Sequence, residues 1–355
     1  MWYTSSQMIE DLRYRLKSHR PFTPPLEGVG FEYGFNTHYL HGWVDYWADQ
    51  YPFQQQEDFL NQFPQFKTNV QGLDIHFIWV KPEGAVRPGL GATEMGVVLR
   101  NLMHRLGFKK FYVQGGDWGA YIGLCMATLY PKEVLGYHTN LALSITPTAI
   151  LTWVLGSIYP PLVVDPVLAD RMYPILSVVY WLTRETGYLH LQATKPDTLG
   201  VSMADSPAGL LAYIYQLFSS GSRRKFYFRS DGGFDDLYSR DELIDNLMIY
   251  WITNSFTTSS RIYAETLNLR NINMAVFAIP TPVPTWTIHA KDEIFYQSPT
   301  LLKFKYPNLL NSTVLFTGGH FLALEKPQVF ADDVLHAIAA FRRWHFNRKH
   351  KKYTF

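Results

Sequence analysis

A chain of 355 residues can form one large α/β domain with an insertion, or two smaller domains, and its 47% apolar content supplies an ample core. A formal charge of +2 with no dominant Lys/Arg face argues against a nucleic-acid partner, and a single cysteine, Cys125, excludes an internal disulfide framework and a Cys-rich metal site. No motif in the chain calls for a metal or an organic cofactor.

Residues 1–20 carry Glu10, Asp11, Arg13, Arg15 and Lys17 and have no apolar h-region, so no signal sequence is visible. The spacing of Met8, Ile9, Leu12 and Leu16 predicts a helix from Ser5 to Arg20, with Ser5 or Ser6 as cap. An irregular Pro/Gly stretch follows from Pro21 to Gly34. Tyr39 to Gln50 and Glu57 to Phe63 carry helical patterns. Phe66 to Gln71 and Ile75 to Val80 flank Gly72-Leu73-Asp74 as a hairpin. Gly89 to Leu106 predicts a further helix, with Gly107 well suited to follow its end.

Phe111-Tyr112-Val113 then reads as a strand and Ala120 to Tyr130 as a helix. Between them stands Gln114-Gly115-Gly116-Asp117-Trp118-Gly119. The pattern G-x-nucleophile-x-G at a strand-to-helix turn is the nucleophile elbow of α/β-hydrolases. Asp117 occupies the place usually held by Ser or Cys. A carboxylate acylates amides poorly, but it can open a strained three-membered ether or displace a halide, leaving an alkyl ester on the enzyme.

Glu133 to His138 predicts the next strand. Val134 to Val164 contains no Asp, Glu, Lys or Arg, but Pro147, Pro160 and Pro161 interrupt it. A spanning helix wants about 20 apolar residues in a row, so the run is assigned to a buried strand leading into a lid, with peripheral membrane contact as the competing reading. The segment from about Thr146 to Arg270 breaks the βα rhythm and is assigned as a helical cap. Its aromatics either fill a core or line an apolar cavity. The rhythm returns with strands at Val276-Phe277-Ala278, Thr285 to Ile288 and Thr313 to Phe316, and closes on a helix from Pro327 to Phe341. The basic tail, Arg342 to Lys352, fits a solvated helix end. The expected domains are an N-terminal extension over 1–70, an α/β-hydrolase core over 71–145 and 271–355, and a helical cap over 146–270.

An ester on Asp117 must later be cleaved by water, which calls for a His base oriented by an acid. These follow the nucleophile in the order acid, then His. Glu293, after the strand Thr285 to Ile288, occupies the acid slot with Asp292 as its competitor. His320, in Gly318-Gly319-His320-Phe321, directly follows a strand. Singly each signal is weak; in this order, each after a strand, they predict an α/β-hydrolase.

The chain resembles the microsomal epoxide hydrolase family, above all its insect juvenile hormone epoxide hydrolases, over nearly its whole length. The resemblance is carried by PLEGVGFEYGFN (Pro25 to Asn36), GLDIHFIWVKP (Gly72 to Pro82) and RLGFKKFYVQGGDWG (Arg105 to Gly119). It continues through GYLHLQATKPDTLG (Gly187 to Gly200), DSPAGLLAYI (Asp205 to Ile214) and GGHFLALEKP (Gly318 to Pro327). It implies Asp117 as nucleophile, His320 as base, Glu293 as its acid, and Tyr188 and Tyr263 as donors to the epoxide oxygen. It further implies a lipophilic epoxide as substrate, with water as the second reactant, and an endoplasmic reticulum or microsomal membrane location serving hormone catabolism or detoxification. The Asp elbow alone leaves haloalkane dehalogenase open as a second chemistry.

Two departures from the family stand out. The oxyanion motif His-Gly-x-Pro has no counterpart after the hairpin. Only residues 81–110 separate Val80 from Phe111, too few for the predicted helix plus a further βαβ unit of roughly 30 residues. His41-Gly42-Trp43-Val44 lacks the Pro and lies inside a helix-like stretch, so it is no substitute. The expectation is a central sheet shortened by an internal deletion, with the Trp118 N–H kept in the oxyanion hole and its partner donor lost. One such donor is worth about 3–4 kcal/mol. The family's N-terminal anchor is also without a counterpart. A catalytically impaired member that binds apolar ligands is therefore the alternative function.

Overall fold

A computed structural model of the chain describes residues 4–62, 66–70, 73–77, 81–82 and 89–351. It forms two compact units, Met1–Pro88 with Leu189–Ala264 and Gly89–Tyr188 with Glu265–Phe355. The divisions thus fall at 88, 188 and 264, against domain boundaries expected at 70, 145 and 270. Residues 163–173 cluster with the second unit because Val163, Val164, Met172 and Tyr173 bury against Tyr296 and Leu301.

The first unit opens on the helix Ser6–Lys17, where Ser5 accepts a hydrogen bond from the Met8 N–H and Leu12 and Leu16 are buried. The helix Thr37–Asp45 passes into one π-helical turn, Tyr46–Gln50, and Phe53–Asn61 follows. The core here is aromatic. Trp43, Trp47, Phe31, Tyr215 and Phe234 are all nearly inaccessible, and Trp43 meets Tyr215 edge-on at 5.0 Å. His41 and Gly42 lie in the middle of the helix Thr37–Asp45, as their rejection as an oxyanion loop requires. A small antiparallel sheet is made of β1 (Phe66–Val70), β2 (Leu73–Phe77) and β3 (Lys81–Pro82). Phe66 stands opposite Phe77 and Val70 opposite Leu73, so Leu73 opens the second strand. Gln71, Gly72 and residues 78–80 of the expected hairpin lie outside the described residues.

The second unit is built on a four-stranded parallel sheet: β4 (Phe111–Gly115), β5 (Val134–Thr139), β6 (Thr285–His289) and β7 (Leu309–Val314), side by side in that order. Parallel strands need covered faces, and β5 shows how both are covered. Tyr137 donates its hydroxyl to the Ala120 carbonyl of the helix Trp118–Leu129, at 2.7 Å. The adjacent His138 points the other way, to Asp333 of the C-terminal helix Pro327–Lys351, at 2.9 Å. Gly136 shares His138's face, and any Cβ there would run into the Phe341 ring of that helix. On the Tyr137 face, Leu124, Met126, Ala127, Leu302 and Tyr306 complete the core.

Three expectations are corrected. Val276–Ala278 is a single 3-10 turn, not a strand. Its apolar run matches a short buried strand, but Ala275 before it is left-handed and Pro280, Pro282 and Pro284 after it remove the amide donors a strand would need. The last strand is Leu309–Val314, earlier than Thr313 to Phe316, because β7 pairs with β6 from Leu309 onward. Third, the helix Pro299–Lys305, absent from the predicted elements, packs Leu301 and Leu302 into the core.

Candidate active site

β4 ends at Gly115, and the helix Trp118–Leu129 begins three residues later. Asp117, at the turn between them, adopts φ 48° and ψ −127°. A residue with a Cβ is strained there by roughly 1–3 kcal/mol. Its neighbours show what imposes the geometry. A Cβ on Gly115 would collide with the Gly119 carbonyl, and one on Gly116 with the Asn140 side chain. Strand and helix therefore approach closer than any side chain would permit, and Asp117 is left at the tip with its side chain 55% exposed. The Ala120 and Tyr121 N–H groups donate to the Asp117 carbonyl at 2.9 and 3.4 Å. Trp118 is the first helical residue, so its N–H lies in the first turn of the helix.

The acid and the histidine come from the loops after β6 and β7. Pairing continues beyond these strands: the Leu315 N–H donates to the His289 carbonyl (2.8 Å), Lys291 to Thr317 (3.3 Å) and Asp292 to Gly318 (2.9 Å). Gly318 supplies the left-handed turn, φ 83°, that redirects the chain before His320. As a result Glu293 Oε1 lies 2.7 Å from His320 Nδ1, and it also accepts the Ile294 N–H at 2.9 Å. Asp292 engages the His320 loop through its backbone, so of the two candidate acids Glu293 is the one that meets the imidazole.

His320 Nε2 lies 3.9 Å from Asp117 Oδ2. That is too long for a direct hydrogen bond and of the size a bridging water spans. Burial alone would lower the His320 pKa. The Glu293 charge, the hydrogen bond of Glu293 and the nearby Asp117 carboxylate outweigh burial, holding the imidazole well above its usual value. A buried acid, an imidazole and a carboxylate at a strained turn thus stand in line, in the order general acid–base chemistry on an ester needs.

Tyr188 is the second residue of the helix Gly187–Thr194, in the second unit, and Tyr263 sits on the helix Phe256–Thr266, in the first. Both are half-buried. Two residues beside the line had no signal in the sequence. Asn140, just after β5, fills the space over Gly116. Arg171, in the 3-10 segment Pro166–Arg171, donates to the Ala290 carbonyl at 2.6 Å. Their partners are distant in the chain, and no local pattern announces them.

The family Epoxide hydrolase N terminus matches residues 2–90. Juvenile hormone epoxide hydrolase of Bombyx mori is 44% identical over 394 aligned positions, which cover 96% of this chain and 86% of that protein. The Manduca sexta juvenile hormone epoxide hydrolase is 40% identical, covering 97% and 86%, and epoxide hydrolase 1 of Sus scrofa 34%, covering 93% and 86%. The crystal structure of the Bombyx mori enzyme superposes with a TM-score of 0.94 at 44% identity, covering 97% of this chain and 94% of that one. The Aspergillus niger epoxide hydrolase, 19% identical, shares the fold at a TM-score of 0.78, with 96% and 95% covered. The chain therefore has the α/β-hydrolase fold of the epoxide hydrolases, and it belongs to the microsomal epoxide hydrolase family, alongside the insect juvenile hormone epoxide hydrolases.

Proposed function

We propose that this enzyme converts a lipophilic epoxide, of the juvenile hormone terpenoid type, to a diol through a covalent ester on Asp117. An Asp117 oxygen attacks a ring carbon and the C–O bond breaks. Tyr188 and Tyr263 both hydrogen-bond to the oxygen that leaves the carbon, and one of them passes it a proton and becomes a tyrosinate. His320, oriented by Glu293, then takes a proton from water as that water attacks the ester carbonyl, and the Trp118 N–H donates to the tetrahedral oxyanion. Collapse breaks the ester C–O bond, the imidazolium gives its proton to the leaving diol oxygen, and the proton left on the Asp117 carboxyl resets the tyrosinate. The observation that carries this reading is the line Glu293–His320–Asp117 at 2.7 and 3.9 Å across a strained elbow.

A specific observation also favours the second reading, a family member impaired in turnover. The alignment to the Bombyx mori enzyme has 394 positions, more than the 355 residues of the chain, so this chain carries gaps against it. We infer that they fall between Val80 and Phe111, as an internal deletion, a reading supported by a parallel sheet of four strands and by the exposure of Asp117. Loss of the second oxyanion donor acts on ester hydrolysis, which passes through the oxyanion, and spares the alkylation step.

Membership of the family supports a place at the endoplasmic reticulum membrane, in hormone catabolism or detoxification. Among the described residues no helix is long and apolar enough to cross a membrane. Peripheral contact is supported by apolar side chains on Pro147–Leu155 and Ile175–Glu185, where Leu151, Val154, Leu155, Leu176 and Tyr180 are all exposed.

The test is a single-turnover reaction with a lipophilic epoxide, read by mass spectrometry of the Asp117 peptide and by diol release. The expected result is an ester on Asp117 that forms faster than it decays, and none in Asp117→Ala. Diol formation by Asp117→Ala at the parent rate would refute the assignment.

A further inference from the structure

The turn that carries Glu293 is held from outside the two catalytic loops. Its first residue, Ala290, is buried, and its carbonyl accepts the Glu293 N–H at 3.4 Å, which closes the turn. The same carbonyl accepts Arg171 Nη2 at 2.6 Å. The guanidinium lies 4.3 Å from the centre of the Tyr296 ring, at the far end of the loop, so one planar cation bridges the beginning and the end of the acid-bearing segment. Tyr296 is buried in turn, edge-on to His289 at 5.1 Å, and packs with Val163, Val164, Met172 and Tyr173. Arg171 sits 119 residues before Ala290, in the segment leading from β5 to the helix Ile175–Glu185.

We infer that Arg171 is a positioning residue: by clamping Ala290 and Tyr296 it fixes the turn that presents Glu293, and so sets the aim of His320 at the Asp117 ester. The inference rests on the two-step reading above. Its chemical consequence is selective. Alkylation requires Asp117 to be placed by the elbow, whose geometry is set by the close approach of Gly115 to Gly119 and of Gly116 to Asn140. Hydrolysis requires the imidazole to face the ester carbonyl with its Nδ1 held by Glu293, and a small displacement of a catalytic group costs on the order of 10²-fold in rate. A residue that merely stabilised the fold would slow both steps together or neither.

The experiment is rapid-quench single turnover of a lipophilic epoxide by the parent enzyme, Arg171→Met, Arg171→Lys and Tyr296→Leu, following the Asp117 ester and the diol separately. In Arg171→Met the ester should form within about twofold of the parent rate and hydrolyse at least tenfold more slowly, so that it accumulates. Arg171→Lys, which keeps a donor for Ala290 but cannot lie flat on Tyr296, should fall between. Tyr296→Leu should repeat the pattern with Arg171 present, and it carries the test if Arg171→Met does not fold. Equal slowing of both steps, or unaltered hydrolysis in a folded variant, overturns the inference while leaving the covalent mechanism standing. A parent enzyme that forms no Asp117 ester overturns both.

Discussion

Glu293, its side chain 1% exposed, holds the imidazole of His320 through Oε1 at 2.7 Å, while among the described residues its Oε2 has no hydrogen-bond partner. A buried carboxylate satisfied on one oxygen depends on the cation beside it, because an unpaired charge out of water is costly. The pair therefore favours imidazolium, the species that the proposed mechanism forms when His320 takes a proton from water.

Glu293→Gln removes that charge and should act on rate and pH dependence in opposite senses. In the proposed mechanism hydrolysis needs neutral His320, so its rate should climb as pH rises through the imidazole pKa, which in the parent lies well above the usual value. Without the Glu293 charge that pKa falls, and the acid limb of the hydrolysis profile should move to lower pH. The plateau should drop roughly 10²-fold or more, since an amide can hold the wrong tautomer. Pre-steady-state hydrolysis rates between pH 5 and 10 check both; an unmoved limb would contradict the electrostatic account.

The two flanking glycines of the elbow should tolerate substitution very differently. Gly115→Ala drives a methyl into the Gly119 backbone, whereas a Cβ on Gly119 meets nothing within 4 Å. Backbone cannot step aside as a side chain does, so Gly115→Ala should cost at least about 2–3 kcal/mol. Gly119→Ala, inside a helix, should be neutral or stabilising by up to ~1 kcal/mol. Urea denaturation of the two variants decides it, and equal losses would mean that the close approach is misassigned.

Asp333 gathers three buried or half-buried donors from three strands: His138 Nε2 at 2.9 Å, Trp286 Nε1 at 3.0 Å and the Thr313 hydroxyl at 2.7 Å. Asp333→Ala strands all of them beneath the C-terminal helix and should destabilise by about 3 kcal/mol or more. Thr313→Val removes one donor and should cost about 1 kcal/mol. If the Asp333 variant melts at the parent temperature, the cluster does not fasten this helix to the sheet.

The sequence singled out Asp117, Glu293 and His320, which the structure brings together, because each carries a local signature: a Gly-rich strand-to-helix turn, or a polar residue in the loop after a strand. β5 and β6 were legible for the same reason, their cores being short apolar runs. Elements set by distant partners were not. Val276–Ala278 has the composition of a strand, and only the prolines and the left-handed Ala275 divert it. Leu309–Val314 is a strand because β6 lies beside it, although Asn311 and Ser312 dilute its apolar pattern. Arg171 resembles any basic residue near a helix until Ala290 and Tyr296 arrive from the far end of the chain.

The contorted backbone of Asp117 has a practical corollary. Nothing intrinsic to an aspartate prefers φ 48°, ψ −127°, so the pose lasts only while the surrounding framework dictates it. On melting, that residue relaxes into an ordinary acidic side chain with no special aim. Potency and foldedness should accordingly vanish over the same few degrees, which makes turnover a sensitive gauge of an intact chain.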